Sequence, residues 1–268
     1  MRKITSILFF AISTSAFAGD FNWAGPYAGL NAGDAQNNNK TKYNYTAYST
    51  SETDFAAGFG AGDPSLAVAN GVASGVLPLS LGSGSSANFI GGGQLGYNWQ
   101  SNHLVYGIEG DFNFLNSKQN STSNGMFSLY GGGSFSNDNK SSSEINWLST
   151  IKGRLGYAAD NFLVYGTAGV AFGDTKVASS SVGYDGSNYD TFSNSISQIK
   201  AGYVVGGGVE YAIDSHWTVR GEGEYYNLGT THYSVIPQDA NSISEAISIN
   251  ASHKFDGELA RFAINYRF

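Results

Sequence analysis

Cysteine is absent from all 268 residues, which excludes a disulfide framework and thiolate metal sites. Prolines number four and charged residues make up only 13% of the chain. Aspartate and glutamate outnumber lysine and arginine by 21 to 14, so the extended basic surface of a nucleic-acid binder is missing. No window approaches the roughly 18 uninterrupted apolar residues of a membrane helix. The four histidines (His103, His216, His232 and His253) lack the spacing of metal ligands, and neither GxSxG nor HExxH occurs. No metal and no cofactor is expected.

Glycine and aromatics are plentiful: 36 Gly, 17 Tyr and 17 Phe. They are dispersed in alternation. In residues 104–114, Leu104, Tyr106, Ile108, Phe112 and Phe114 share one face with Gly110, while Val105, Gly107, Glu109, Asp111 and Asn113 share the other. A period of two marks a β-strand. Carboxylates opposite an aromatic stripe suit a strand with lipid on one side and a polar lumen on the other.

The N-terminus has the parts of a secretory leader: basic Arg2 and Lys3, a mostly apolar stretch over 4–12, and Ala16-Phe17-Ala18 as an A-x-A site. Cleavage is expected between Ala18 and residue 19, leaving 19–268 as the barrel domain. No Cys follows for lipid anchoring. Arg2 and Lys3 are the leader's only charges, so its removal takes the net charge from −7 to −9.

Seven further strands repeat the pattern. The first covers 26–33, with Ala28, Leu30 and Ala32 on one face. After it, 34–86 reads as one very long loop. Its apolar island at 66–81 is expected to form a short helix or to pack over the barrel mouth. The others are 89–100 (Phe89, Leu95, Tyr97, Trp99 against Gln94, Asn98, Gln100) and 145–158 (Ile145, Trp147, Ile151, Leu155, Tyr157 against Asn146, Thr150, Lys152, Arg154). They continue with 162–173, 201–213, 217–228 and a last strand that ends at Phe268. Turns at 101–103, 159–161 and 214–216 are short, and polar loops at 116–143, 174–198 and 229–252 alternate with them. This predicts an all-β fold: an eight-stranded antiparallel transmembrane β-barrel with short periplasmic turns and four long extracellular loops. The residues by the short turns (Tyr97, Trp99, Tyr157, Phe162, Tyr211 and Trp217) would form a girdle. A soluble sandwich or lipocalin-like barrel also alternates. Aromatic flanks, mid-strand charges and the terminal aromatic favour the membrane.

Asn22-Trp-Ala-Gly-Pro-Tyr-Ala-Gly-Leu-Asn-Ala-Gly33 resembles the first strand of a family of small alphaproteobacterial outer-membrane proteins, immunoreactive or porin-like, with an OmpA-like barrel. Gly92-Gly-Gln-Leu-Gly-Tyr-Asn-Trp-Gln100, residues 147–156 ending Lys152-Gly-Arg-Leu-Gly156, and 206–211 followed by Trp217 are similar to the same family. The resemblance spans the strands but not the loops, and loop one is longer than it implies. Phe262, Ile264, Tyr266 and Phe268 resemble the C-terminal signal that such barrels present to the barrel assembly machinery.

Ten charges fall mid-strand toward the lumen: Glu109, Asp111, Glu210, Glu222 and Glu224 against Lys152, Arg154, Arg220, Arg261 and Arg267. An eight-stranded barrel is just wide enough for side chains to fill, so these must pair. Glu109 and Asp111 are expected to face Lys152 and Arg154. The residues leave two readings open, a salt-bridged plug that fixes register or a narrow pore without strong ion selectivity. Gly91-x-Gly93-x-x-Gly96 fits the dinucleotide fingerprint literally, but it sits inside a strand with no helix to receive phosphate.

Three functions follow as expectations. The chain is an outer-membrane barrel with a structural or surface role and porin-like passage of small solutes. Alternatively, it is an adhesin that meets host or surface ligands through its acidic Ser/Asn-rich loops. A third reading takes His232, Ser234 and Glu245 as the H-x-S arrangement of a lipid A-modifying hydrolase, a base beside a hydroxyl with a carboxylate to orient it. Expected partners are outer-membrane lipid, lipopolysaccharide and the assembly machinery, with no nucleic acid.

Overall fold

The computed structural model describes residues 21–38, 40–48, 67–69, 72–77, 87–128, 134–184, 189–237 and 247–268. The expected leader, with Ala16 and Ala18, lies outside them. Eleven strands are present among the described residues: β1 (Gly25–Asn37), β2 (Lys40–Tyr48), β3 (Ala67–Ala69), β4 (Val72–Leu77), β5 (Ala87–Ser101), β6 (Leu104–Ser128), β7 (Ser134–Ala159), β8 (Phe162–Tyr184), β9 (Tyr189–Ala212), β10 (Trp217–Pro237) and β11 (Ile247–Arg267).

Eight of them close a ring. β1 pairs antiparallel with β5, each of β5 to β11 pairs with the next, and β11 returns to β1 from Tyr27↔Arg267 to Asn37↔Gly257. Closure leaves no lower edge with unpaired backbone, the condition for a sheet in lipid. The turns at one end are tight because their residues suit them. Asn102 and Asp160 adopt positive φ of 52° and 50°, which Asn and Asp tolerate. The Asp214 carboxylate accepts the N–H groups of His216 and Trp217, each at 2.8 Å.

The apolar faces point outward. Leu30, Phe89, Leu95, Ile108, Ile151, Val164, Val209 and Phe262 are exposed, Phe262 at 78%. Water would not tolerate so continuous a band; lipid requires it. Aromatics ring the short-turn end, with Trp99 stacked on Tyr106 (5.7 Å) and Trp217 edge-on to Tyr266 (5.1 Å).

Beyond the lipid belt the strands run on. A membrane strand needs about 9–11 residues, yet β6 has 25 and β7 has 26. They stay paired up to Ser128↔Ser134, and β8 with β9 up to Tyr184↔Tyr189. Much of 116–143, 174–198 and 229–252, expected as loop, is therefore strand. So are the described parts of 34–86: β2 pairs with β11, and the island at 66–81 supplies β3 and β4, a hairpin against β2, where a helix was one expectation. The reason is physical. Outside lipid neither face needs to be apolar, so hydrophobic alternation disappears while the backbone ladder continues.

Three β-bulges mark the change, between Phe114 and Ser117, Ile145 and Leu148, and Asn227 and Thr230. The third contains Gly229 at φ 79°, a left-handed conformation that suits glycine. On β7 and β10 the extra residue swaps the facing of all that follow, while β6 keeps its odd-numbered residues inside from Val105 to Ser117. Ile145, expected on the lipid face, is buried inside at 1% exposure for this reason.

Candidate functional site

The barrel interior holds three layers. At the short-turn end Phe21 and Trp23 fold into the mouth, with Trp23 fully buried beside Val105, Ala158, Leu163, Tyr165 and Ala212. The Trp23 backbone N–H donates to Gln100 Oε1 at 2.5 Å. Arg267 holds this stopper in place. It donates to the carbonyls of Asn22 and Ala24, and its guanidinium lies 4.7 Å from the Phe21 ring centre.

The middle layer is charged. Lys152 Nζ stands 2.6 Å from Glu224, 3.0 Å from Asp111, 3.3 Å from Glu109 and 3.5 Å from Glu222. Arg261 Nη2 reaches Glu222 at 2.7 Å, Glu224 at 3.0 Å and Asp111 at 3.2 Å. Arg220 pairs with Glu109 at 2.6 Å, and Arg154 with Glu210 at 2.8 Å. Of the expected partners, then, Lys152 faces Glu109 and Asp111, whereas Arg154 has gone to Glu210 on β9, two strands away. Arg267 sits apart at the stopper, so five carboxylates meet four cations where five were expected.

Neutral side chains complete the network. The Tyr27 hydroxyl donates to Glu109 at 2.7 Å and accepts from Arg154 at 3.1 Å. Tyr165 donates to Glu222 at 2.6 Å, and the Arg154 guanidinium lies 4.1 Å from the Tyr165 ring centre. Thr150 donates to Asp111 and Thr218 to Glu210, both at 2.6 Å. Asn31 donates to Gln94, Gln94 to Asn265, and Asn265 to Glu210, a relay that joins four strands.

Sequence reasoning gave neither tyrosine a role, because its count stopped at formal charges. The signal available was a tyrosine on the inward register facing a cross-strand glycine: Tyr27 opposite Gly96 and Tyr165 opposite Gly208. A Cβ on Gly96 would lie 2.5 Å from the Tyr27 ring. These glycines are the space the rings occupy.

The upper layer is apolar: Ile90, Leu115, Ile145, Leu148, Val204, Leu228 and Phe255 pack with Tyr226, whose hydroxyl bonds Asn37. Each lumen carboxylate is thus held by a cation or a donor. Such an arrangement fills the lumen at this level with paired charges and hydrogen-bonded hydroxyls.

Residues 65–255 match the outer membrane protein beta-barrel domain family. The chain belongs to this family. It is similar to the 31 kDa outer-membrane immunogenic protein of Brucella melitensis, 33% identical over 257 residues that cover 95% of this chain and 88% of that protein. It also resembles the 22 kDa outer membrane protein of Rhizobium leguminosarum bv. viciae, 32% identical over 162 residues, covering 60% of this chain and 62% of that protein. Among solved structures, OprG from Pseudomonas aeruginosa covers 93% of this chain and 98% of its own at a TM-score of 0.44 and 14% identity.

The exposed apolar band of this family member is therefore its lipid surface in the outer membrane. Phe262, Ile264, Tyr266 and Phe268 all lie on that surface along β11 and just beyond it. His232 and Ser234, one residue apart on β10, are exposed above it. Glu245 lies outside the described residues.

Proposed function

We propose that this outer-membrane barrel is closed to solutes at rest, catalyses no reaction, and anchors a rigid extracellular β-wall, a structural and surface role. One observation carries the reading: the lumen is filled along its length, from Trp23 through Lys152 to Leu148 and Phe255, with all four at most 2% exposed. Passage of even a small ion would have to displace the stopper, break buried pairs and part the apolar layer. Planar-bilayer recording tests this. The expected trace is flat at all voltages, and stepwise openings of fixed size would refute closure and restore the porin reading.

The wall itself favours a second role, contact with host or surface ligands. Paired strands that continue well past the lipid belt present Ser, Thr and Asn on a defined frame. Shortening β6 and β7 by equal even numbers of residues should keep the barrel folded and abolish adhesion; retained adhesion would sink this role. The hydrolase reading predicts that His232→Ala alters lipid acylation, and we expect no change. The terminal aromatics suit recognition by the assembly machinery, so Phe268→Ser should lower the folded fraction in the membrane.

A further inference from the structure

We infer that the outward face of the extracellular wall over β6–β9 binds the phosphorylated sugar headgroup of an outer-leaflet glycolipid. The register defines the face. Ser141, Ser143, Val177 and Ser179 are buried toward the inside, so their even-numbered neighbours on β7 and β8 point out. Just above the lipid belt runs the row Lys118–Glu144–Lys176, paired across three strands. The next row is Asn120, Ser142, Ala178 and Ser195, and Thr122, Lys140 and Ser180 follow.

The last two rows line a concavity of about 530 Å³, within the ~300–1,000 Å³ of small-ligand sites. Its floor is small (Ser142, Ala178, Ser180), and its walls are amide, hydroxyl and the Lys140 ammonium. Hydroxyls and amides that both donate and accept are suited to a polyol. Three lysines point to an anion on it. Glu144 engages Lys118 at 2.7 Å, and Asp174, one row lower, accepts from Asn146. Lys140 and Lys176 have no ion pair among the described residues. On the opposite side of the ring the outward charges include Asp34 and Glu258, and Lys254 there is paired with Asp256 at 3.4 Å.

Height selects the source. Phe114 and Ile199, both more than two-thirds exposed, form the upper rim of the belt on this side. At about 3.3 Å per residue on tilted strands, the lysine rows stand roughly 10–20 Å above it. A phospholipid headgroup layer extends only about 5–8 Å. A headgroup several sugars long reaches the concavity while its acyl chains stay against Phe114 and Ile199.

This deepens the proposed surface role and rests on the barrel standing in the outer membrane. The test uses the barrel purified from outer membranes in nanodiscs of zwitterionic phospholipid. It is titrated with labelled lipopolysaccharide that carries lipid A and a phosphorylated inner core. The triple change Lys118→Gln, Lys140→Gln, Lys176→Gln should weaken binding about tenfold, three exposed contacts at ~0.5 kcal/mol each. Ala178→Trp fills the concavity without altering charge and should weaken it similarly. Asp34→Asn with Glu258→Gln should leave it unchanged, and enzymatic dephosphorylation of the probe should reproduce the triple change. Unchanged binding by Ala178→Trp, or by a folded triple variant, overturns the site. Delipidated core oligosaccharide bound as tightly as the intact lipid overturns the assignment to a lipid headgroup. Heat-modifiable gel mobility, read on every variant without ligand, reports the barrel separately.

Discussion

Replacing Lys152 with methionine should be the most damaging single change in the lumen. The side chain is 1% exposed and has four carboxylates within 3.5 Å. Methionine fills a similar volume, so packing is nearly conserved and the loss is electrostatic. Glu109, Asp111, Glu222 and Glu224 would then share only Arg220 and Arg261. Removing one partner of a buried ion pair costs 3–5 kcal/mol because the other charge is left uncompensated, and about 4 kcal/mol is expected here. The assay is equilibrium urea unfolding in lipid vesicles, followed by fluorescence of the four tryptophans. The double variant Lys152→Met, Glu224→Gln removes a negative charge from the same cluster. It should recover about 2 kcal/mol, a coupling of the size contacting residues show. A loss below about 1 kcal/mol for Lys152→Met, or strict additivity in the double variant, would show that the charges do not act as one network.

Other outcomes follow from single contacts. Gly96→Ala should cost about 1–3 kcal/mol, since its Cβ would meet the Tyr27 ring at 2.5 Å and the Ile108 carbonyl at 2.7 Å. Gly93→Ala, with nothing closer than 3.5 Å, should be tolerated; the same unfolding assay compares them. Trp23→Ala should cost about 3–5 kcal/mol as a buried aromatic truncation, with faster proteolysis of the N-terminal segment as a second readout. At the turn, the N–H groups of His216 and Trp217 hold the Asp214 carboxyl below its usual range. A depressed folded pKa stabilises above the unfolded value, about 3.9, and that stability is lost as pH falls through the folded value. Asp214→Ala should therefore lower the unfolding midpoint at pH 7, with the gap closing at strongly acid pH.

What the sequence revealed tracks where lipid is. Over 104–114 one face must be apolar, so Leu104, Ile108 and Phe114 disclose the strand and, by opposition, place Glu109 and Asp111 inside. Above the belt that constraint vanishes. Ser-rich β7 from Ser134 to Glu144 reads as loop although its ladder is complete. Facing fails at bulges: Ile145 lies one extra residue past the point where period two holds. Partner choice fails for another reason. Arg154 meets Glu210 on β9, two strands away, a pairing that no register between neighbouring strands encodes. Arg267 shares the lumen parity of Arg261, but it lies at the mouth, where carbonyls of residues 22 and 24 outcompete carboxylates farther inside.

The three bulges fall near the upper edge of the lipid belt, on β6, β7 and β10. Those on β7 and β10 shift the in–out phase of their strands, so they act as a collar between two lattices. Below it, an insertion of one residue would turn a strand's apolar side to the lumen and its charges to lipid. Above it, the same insertion meets water on one face and a small polar interior on the other. The upper wall is thus free to change in length and composition while the spanning lattice stays fixed, which makes the collar the natural boundary for grafting foreign hairpins onto this barrel.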